Sequence, residues 1–126
     1  MIRSMNGKRL TIYQYPTCGT CRSAMKRLKE LGREMDAVHI KETPPSAEQL
    51  KELISLSGLE IKKWFNTSGE AYKEMQLKDK PPQMSDDEKI RTLASNGMLI
   101  KRPVVTDGKK VTVGYKPEVY EEVWGS

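Results

Sequence analysis

Cys18 and Cys21, the two cysteines of the chain, are separated by two residues in YPTCGTCRSAMKRL. A C-x-x-C pair admits three kinds of chemistry: a metal clip, a structural disulfide, or a thiol pair that exchanges electrons. A closed zinc site needs four ligands, and beyond the thiols the chain offers one histidine, His39. With no second C-x-x-C, neither a metal nor a cofactor is expected, and His39 reads as a packing or surface residue. Two small buried hydrophobes is a reading that suits Cys21, which shares a helical face with Met25 and Leu28. It suits Cys18 poorly, because that residue precedes the helix in a Pro-Thr-Cys-Gly turn. There the free N–H groups of the first turn and the helix dipole favour an anion and lower a thiol pKa. Arg22, Lys26 and Arg27 add positive charge nearby. On the redox reading Cys18 is the nucleophile and Cys21 the resolving thiol. Across a first helical turn the two sulfurs can meet with little backbone movement, so a reversible disulfide is expected.

The elements that must position this pair are legible in the periodicity. RLTIYQY at residues 9–15 alternates, carries β-branched and aromatic residues, and ends at Pro16, which predicts a strand. Cys21, Ala24, Met25, Leu28 and Leu31 follow helical spacing until Gly32. A second short strand fits residues 35–40, completing a βαβ opening with the cysteines at the strand-to-helix junction. Ser46 with Gln49, and Ser85 with Glu88, are capping-box patterns that open two further helices. Gly58 ends the first of these as a C-cap, IKKWF adds a short turn, and residues 69–77 read as a helix with Tyr72, Met75 and Leu77. Pro81-Pro82 is a short linker. RPVVT, Asp107-Gly108 and KKVTVGY form a hairpin signal, and Pro117 opens a last helix through Val119 and Tyr120. This order predicts one α/β domain over residues 1–126 with a thioredoxin-like fold, βαβ then ββα, and a helical insertion at about 45–97.

Bulk properties narrow the function classes. The chain of 126 residues has 22 Lys and Arg against 17 Asp and Glu, a net charge of +5 that a solvated surface accounts for. Only 6% of residues are aromatic and no basic stripe is interleaved with them, so direct nucleic-acid binding is not expected. No apolar run is long enough to span a bilayer, and MIRSMNGKRL lacks the apolar region of a secretory signal. A cytoplasmic, membrane-free monomer is the expectation, and in that reducing compartment a disulfide is transient. Lys109 and Lys110 read as a solvated hairpin edge, Trp64 and Trp124 as packing residues, and Met25, Met75, Met84 and Met98 as core filler.

From about Leu10 to Tyr120 the chain resembles the arsenate reductase (ArsC) family, which includes the Spx-type redox regulators. The resemblance rests on YPTCGTCRSAMKRL, TPPSAEQLKEL, the helix with YKEM, and MLIKRPVVTDGKKVTVGY, in that order. It implies a cis peptide before Pro103 facing the cysteine turn. It also implies that Cys18 is the nucleophile and that Arg102 is one of three oxyanion-binding arginines. The other two positions hold Asn66 and Lys116, which lack the bidentate guanidinium fork. Arsenate turnover is therefore expected far below that of a three-arginine enzyme, with Arg22, Lys116 and Asn66 as the candidate substrate-binding set. In the Spx branch the pair is a disulfide switch, and the arginine before the cis-proline, matched by Arg102, lies near the disulfide. A glycine in that branch's helical subdomain, matched approximately by Gly58, supports docking on the C-terminal domain of the RNA polymerase α subunit. The chain departs from that branch at EEVWGS, without its basic extension. Two functions stand at this point. One is a thiol-dependent oxidoreductase served by thioredoxin or a low-molecular-weight thiol; the other is a redox-switched regulator that binds polymerase without turnover.

Overall fold

Leu10 and Ile12 alternate with partly exposed neighbours along the first strand and are fully buried, so one face of that strand is committed to a core. The computed structural model describes residues 9–66, 69–74 and 84–125. The chain divides into two compact units, one built from its two ends and the other from residues Ile40–Lys101. The expected helix over 69–77 is described as far as Glu74; Met75, Leu77 and the Pro81-Pro82 linker lie outside the described residues.

The first unit holds a four-stranded sheet of order β2-β1-β3-β4, with β1 at Arg9–Gln14, β2 at Glu34–His39, β3 at Val104–Thr106 and β4 at Val111–Val113. β1 and β2 run parallel, and helix α1 (Gly19–Glu30) supplies the crossover that parallel neighbours require. The other pairings are antiparallel, which completes the thioredoxin-like order. α1 stops as its glycine predicts. Gly32 adopts φ 78°, its N–H reaches Lys29, and the Arg33 N–H reaches Leu28. Ala24 and Leu28 of α1 pack with Leu10, Ile12, Val105 and, from the last helix, Tyr120 and Trp124. Met25 lies against the same cluster.

The hairpin connection is wider than a two-residue Asp-Gly turn. Residues 107–110 intervene, and Asp107 Oδ1 accepts the N–H groups of Lys109 and Lys110, both at 2.8 Å. An Asx-type turn satisfies the loop donors locally, so the tight turn is not needed. Lys110 is exposed at the hairpin edge, as expected, and it also meets the last helix. Its Nζ lies 5.5 Å from the Trp124 ring and donates to Val123 O at 3.1 Å. Arg33, in the link between α1 and β2, does the same, over the ring at 5.8 Å and donating to Trp124 O at 3.0 Å. Two cations therefore close the C-terminal carbonyls of that last helix, Pro117–Trp124, where the dipole is negative.

The second unit is helical: α2 (Ala47–Ser57), a 3₁₀ turn at Ile61–Trp64, α3 (Glu70–Glu74), α4 (Asp86–Ser95) and a 3₁₀ turn at Gly97–Leu99. The last helix of the chain is accordingly α5. Both predicted capping boxes are present in full, at Ser46 with Gln49 and at Ser85 with Glu88. Leu50, Leu53, Ile54, Ile90 and Leu93 line the facing sides of α2 and α4, and Trp64 is fully buried. Among the described residues no helix is long and apolar enough to cross a membrane.

Gly97 sets the tightest packing in this unit. A Cβ there would lie 1.9 Å from the Ile40 carbonyl oxygen, which is backbone and cannot turn aside. At Gly19, by contrast, a Cβ meets open space. Gly97→Ala is expected to cost about 2–3 kcal/mol or more by overpacking, whereas Gly19→Ala at the first helical position is neutral to stabilising by up to about 1 kcal/mol. Urea unfolding of both variants followed by tryptophan fluorescence checks the contrast.

Candidate functional site

The turn from β1 into α1 carries both sulfurs. Pro16 presets the turn, and the Cys18 N–H closes it on the Tyr15 carbonyl at 3.0 Å. Cys18 is the N-cap of α1, with extended backbone at φ −81° and ψ 110°. Its Sγ takes the place that a serine oxygen takes at an ordinary cap, accepting the Cys21 N–H at 3.3 Å. Cys18 is half-buried and Cys21 fully buried, and both are free thiols.

Arg102 comes from the segment that leads into β3, the strand beside β1. The Arg102–Pro103 peptide is cis, Pro103 is buried, and its carbonyl accepts the Gly114 N–H at 2.9 Å, which anchors the segment beside the end of β4. The guanidinium hydrogen-bonds Cys18 and also stacks on Tyr15, its Cζ 5.7 Å from the ring centre. The Tyr15 ring in turn meets His39 edge to face, with centroids 5.3 Å apart at 82°.

This environment separates the two thiols. For Cys18, partial burial pushes the pKa up, but hydrogen bonds from Cys21 and Arg102 and the Arg102 charge outweigh it, and the net direction is down. For Cys21, burial and the adjacent Cys18 sulfur push the pKa up to about 12, against smaller opposing contributions from the Tyr15 backbone and Arg102. The pair is thus one favoured thiolate beside one proton-holding thiol, which is the division of labour that disulfide exchange uses.

Arg22 is exposed on the first turn of α1, and Lys116 is exposed at the N-cap of α5. The cation that acts on both sulfurs is Arg102, while Arg27 is engaged with Glu30 and Glu121. Asn66 and Gly58 belong to the helical unit. The Asn66 N–H donates to Leu99 O at 2.7 Å, and Gly58 is the left-handed C-cap of α2 at φ 71°. Among the described residues no group of three or more His, Cys, Asp or Glu side chains is arranged to hold a metal ion. Tyr15 is the site residue that sequence reasoning passed over; its one signal was an aromatic placed directly before Pro-Thr-Cys.

The ArsC family model matches residues 13–123. The uncharacterized protein YusI of Bacillus subtilis (strain 168) is 58% identical over 91% of this chain and 98% of its own. The regulatory protein MgsR of the same organism is 31% identical over 87% of this chain and 86% of its own. The solved structure of an arsenate reductase from Vibrio cholerae superimposes with a TM-score of 0.82 at 32% identity, covering 92% of this chain and 98% of that one.

The raised Cys21 pKa makes stability depend on pH. A thiol whose pKa goes from 9.0 unfolded to about 12 folded holds its proton more tightly in the native state. Its contribution is fully present below pH 9 and is lost as pH rises from 9 towards 12. The urea midpoint of reduced protein is expected to fall more steeply over that window than that of Cys21→Ala. Parallel slopes for the two proteins would contradict the assignment.

Proposed function

The chain belongs to the ArsC family, and on that premise we propose that it is a cytoplasmic thiol–disulfide redox protein in which Cys18 and Cys21 cycle between dithiol and disulfide. One observation carries the reading: Cys18 Sγ caps α1 beside the Arg102 guanidinium, while Cys21 lies buried one helical turn on. The Cys18 thiolate attacks one sulfur of a substrate disulfide and expels the other as a thiolate, leaving a mixed disulfide. Cys21 then gives up its proton and attacks Cys18 Sγ, which releases the second substrate thiol. Two electrons pass from the cysteine pair to the substrate, and thioredoxin or a low-molecular-weight thiol returns them. Consumption of the Cys18 thiolate removes one of the causes that hold the Cys21 proton, so the resolving step is eased by the step before it.

Arsenate is the weaker substrate on this reading. Arg102 supplies one guanidinium, and Lys116 and Asn66 stand where the family's other two arginines would be; an ammonium and an amide do not form bidentate pairs with an oxyanion.

A second reading is favoured by the likeness to MgsR and by the surface around Gly58. Leu56 and Leu59, 39% and 41% exposed, flank that glycine beside a groove that includes Ile54, Ile61 and Lys89. A redox-switched regulator would use this surface against the C-terminal domain of the RNA polymerase α subunit.

Treatment with a small-molecule disulfide, followed by mass spectrometry, tests the first reading. The wild type is expected to lose two hydrogens. Cys21→Ser is expected to stop at the mixed disulfide on Cys18, and Cys18→Ser to react at least about tenfold more slowly. Equal reactivity of the two single variants would sink it. Robust arsenate reduction with excess reductant, abolished by Arg102→Ala, would instead establish a true arsenate reductase. Retention of polymerase α subunit by oxidised protein alone, without turnover, would establish the regulator.

A further inference from the structure

Arginine has a long side chain with several rotatable torsions, and holding the Arg102 guanidinium at Cys18 carries the entropy cost of fixing them. The cis Arg102–Pro103 segment holds its backbone, through the Pro103 carbonyl and the Gly114 N–H. That anchor fixes the backbone and not the side chain. The Tyr15 ring meets the side chain, with the guanidinium carbon 5.7 Å from the ring centre, within the range of a cation–π contact. The ring is itself set by His39, edge to face at 5.3 Å. The Tyr15 backbone also bears on the sulfurs, since its carbonyl accepts the Cys18 N–H at 3.0 Å.

We propose that Tyr15 is the positioning residue of the cysteine site, its aromatic face holding the Arg102 guanidinium against Cys18 so that the thiolate is stabilised. The proposal rests on the reading of Cys18 as the reactive thiolate and goes beyond it by naming what keeps the arginine in place. The face of the ring is the working part. Phenylalanine therefore supplies the same contact, and an aliphatic side chain of similar volume does not. If Tyr15 only filled space at the end of β1, its replacement would move stability and leave the chemistry of Cys18 alone.

The test is the alkylation rate of Cys18 against pH, resolved by mass spectrometry, with urea midpoints measured alongside. The proteins are wild type, Tyr15→Leu, Arg102→Ala and the double variant, with Tyr15→Phe as the rescue and Tyr15→Met as a second ring-free variant should Tyr15→Leu fold poorly. Tyr15→Leu is expected to raise the pH midpoint of alkylation by about 0.5, roughly a threefold loss of thiolate below that midpoint. Tyr15→Phe is expected to restore it. Arg102→Ala should raise the midpoint at least as far, and the double variant no further than Arg102→Ala alone, because the ring acts through the guanidinium. An unchanged midpoint in Tyr15→Leu together with a raised one in Arg102→Ala would overturn the positioning role and leave the redox reading standing. An added shift in the double variant would also overturn it, since the ring would then act on Cys18 directly. Unchanged midpoints in both single variants would count against the thiolate reading itself, and the proposal would fall with it.

Discussion

The hydrogen bond from the Cys21 N–H to Cys18 Sγ is the constraint on which the site depends. It satisfies one of the unpaired donors at the start of α1, and it does so with a sulfur in place of the usual oxygen. A sulfur carrying negative charge is a better acceptor than a neutral thiol, and it sits at the positive end of twelve aligned peptide dipoles. Local folding and thiol chemistry are therefore coupled: whatever stabilises the first turn of α1 also stabilises the thiolate. One turn on, helix geometry puts the Cys21 side chain on the buried face of α1 with Ala24 and Leu28.

Burial acts in opposite senses at the two thiols once the neighbours are counted. It opposes ionisation at both, but at Cys18 a guanidinium and two hydrogen-bond donors reverse it, while at Cys21 the adjacent sulfur reinforces it. A difference of one residue turn along a helix thus becomes a difference of chemical role. Arg102 contributes because the Pro103 segment returns it to the cysteine turn, and Tyr15 because it closes that turn through its carbonyl while its ring lies under the guanidinium. The sheet unit contains all of these groups, and they are supported by a core in which Trp124 and Tyr120 pack against α1 and β1.

Much of the fold was legible because the signals are local. Alternation in RLTIYQ, the 3.6-residue spacing of Cys21, Ala24 and Leu28, two capping boxes, and Gly32 and Gly58 as left-handed caps each depend on residues within one turn of one another. Details of side-chain engagement are less legible. The Asp107-Gly108 signal marks the hairpin, while the carboxylate that gathers the N–H groups of Lys109 and Lys110 shows only in the folded loop. Lys110 is exposed at the hairpin edge as its sequence suggests, and nothing near it in sequence shows that the Trp124 ring and the end of α5 lie beside it.

By itself the sequence determined the cysteine spacing, the place of Cys18 ahead of a helix, and the apolar face that takes Cys21 inside; helix periodicity and capping are short-range physics, and they suffice for that. Charge near the pair in sequence points to Arg22, Lys26 and Arg27, and the family resemblance to Arg102; the tertiary structure decided for Arg102, because the antiparallel pairing of β1 with β3 brings the end of β1 and the start of β3 side by side. It also decided that Tyr15 would lie between Arg102 and His39. Hydrogen bonds and cation–ring contacts need their groups within a few ångströms, so their partners are set by where the chain returns in space and not by distance along it.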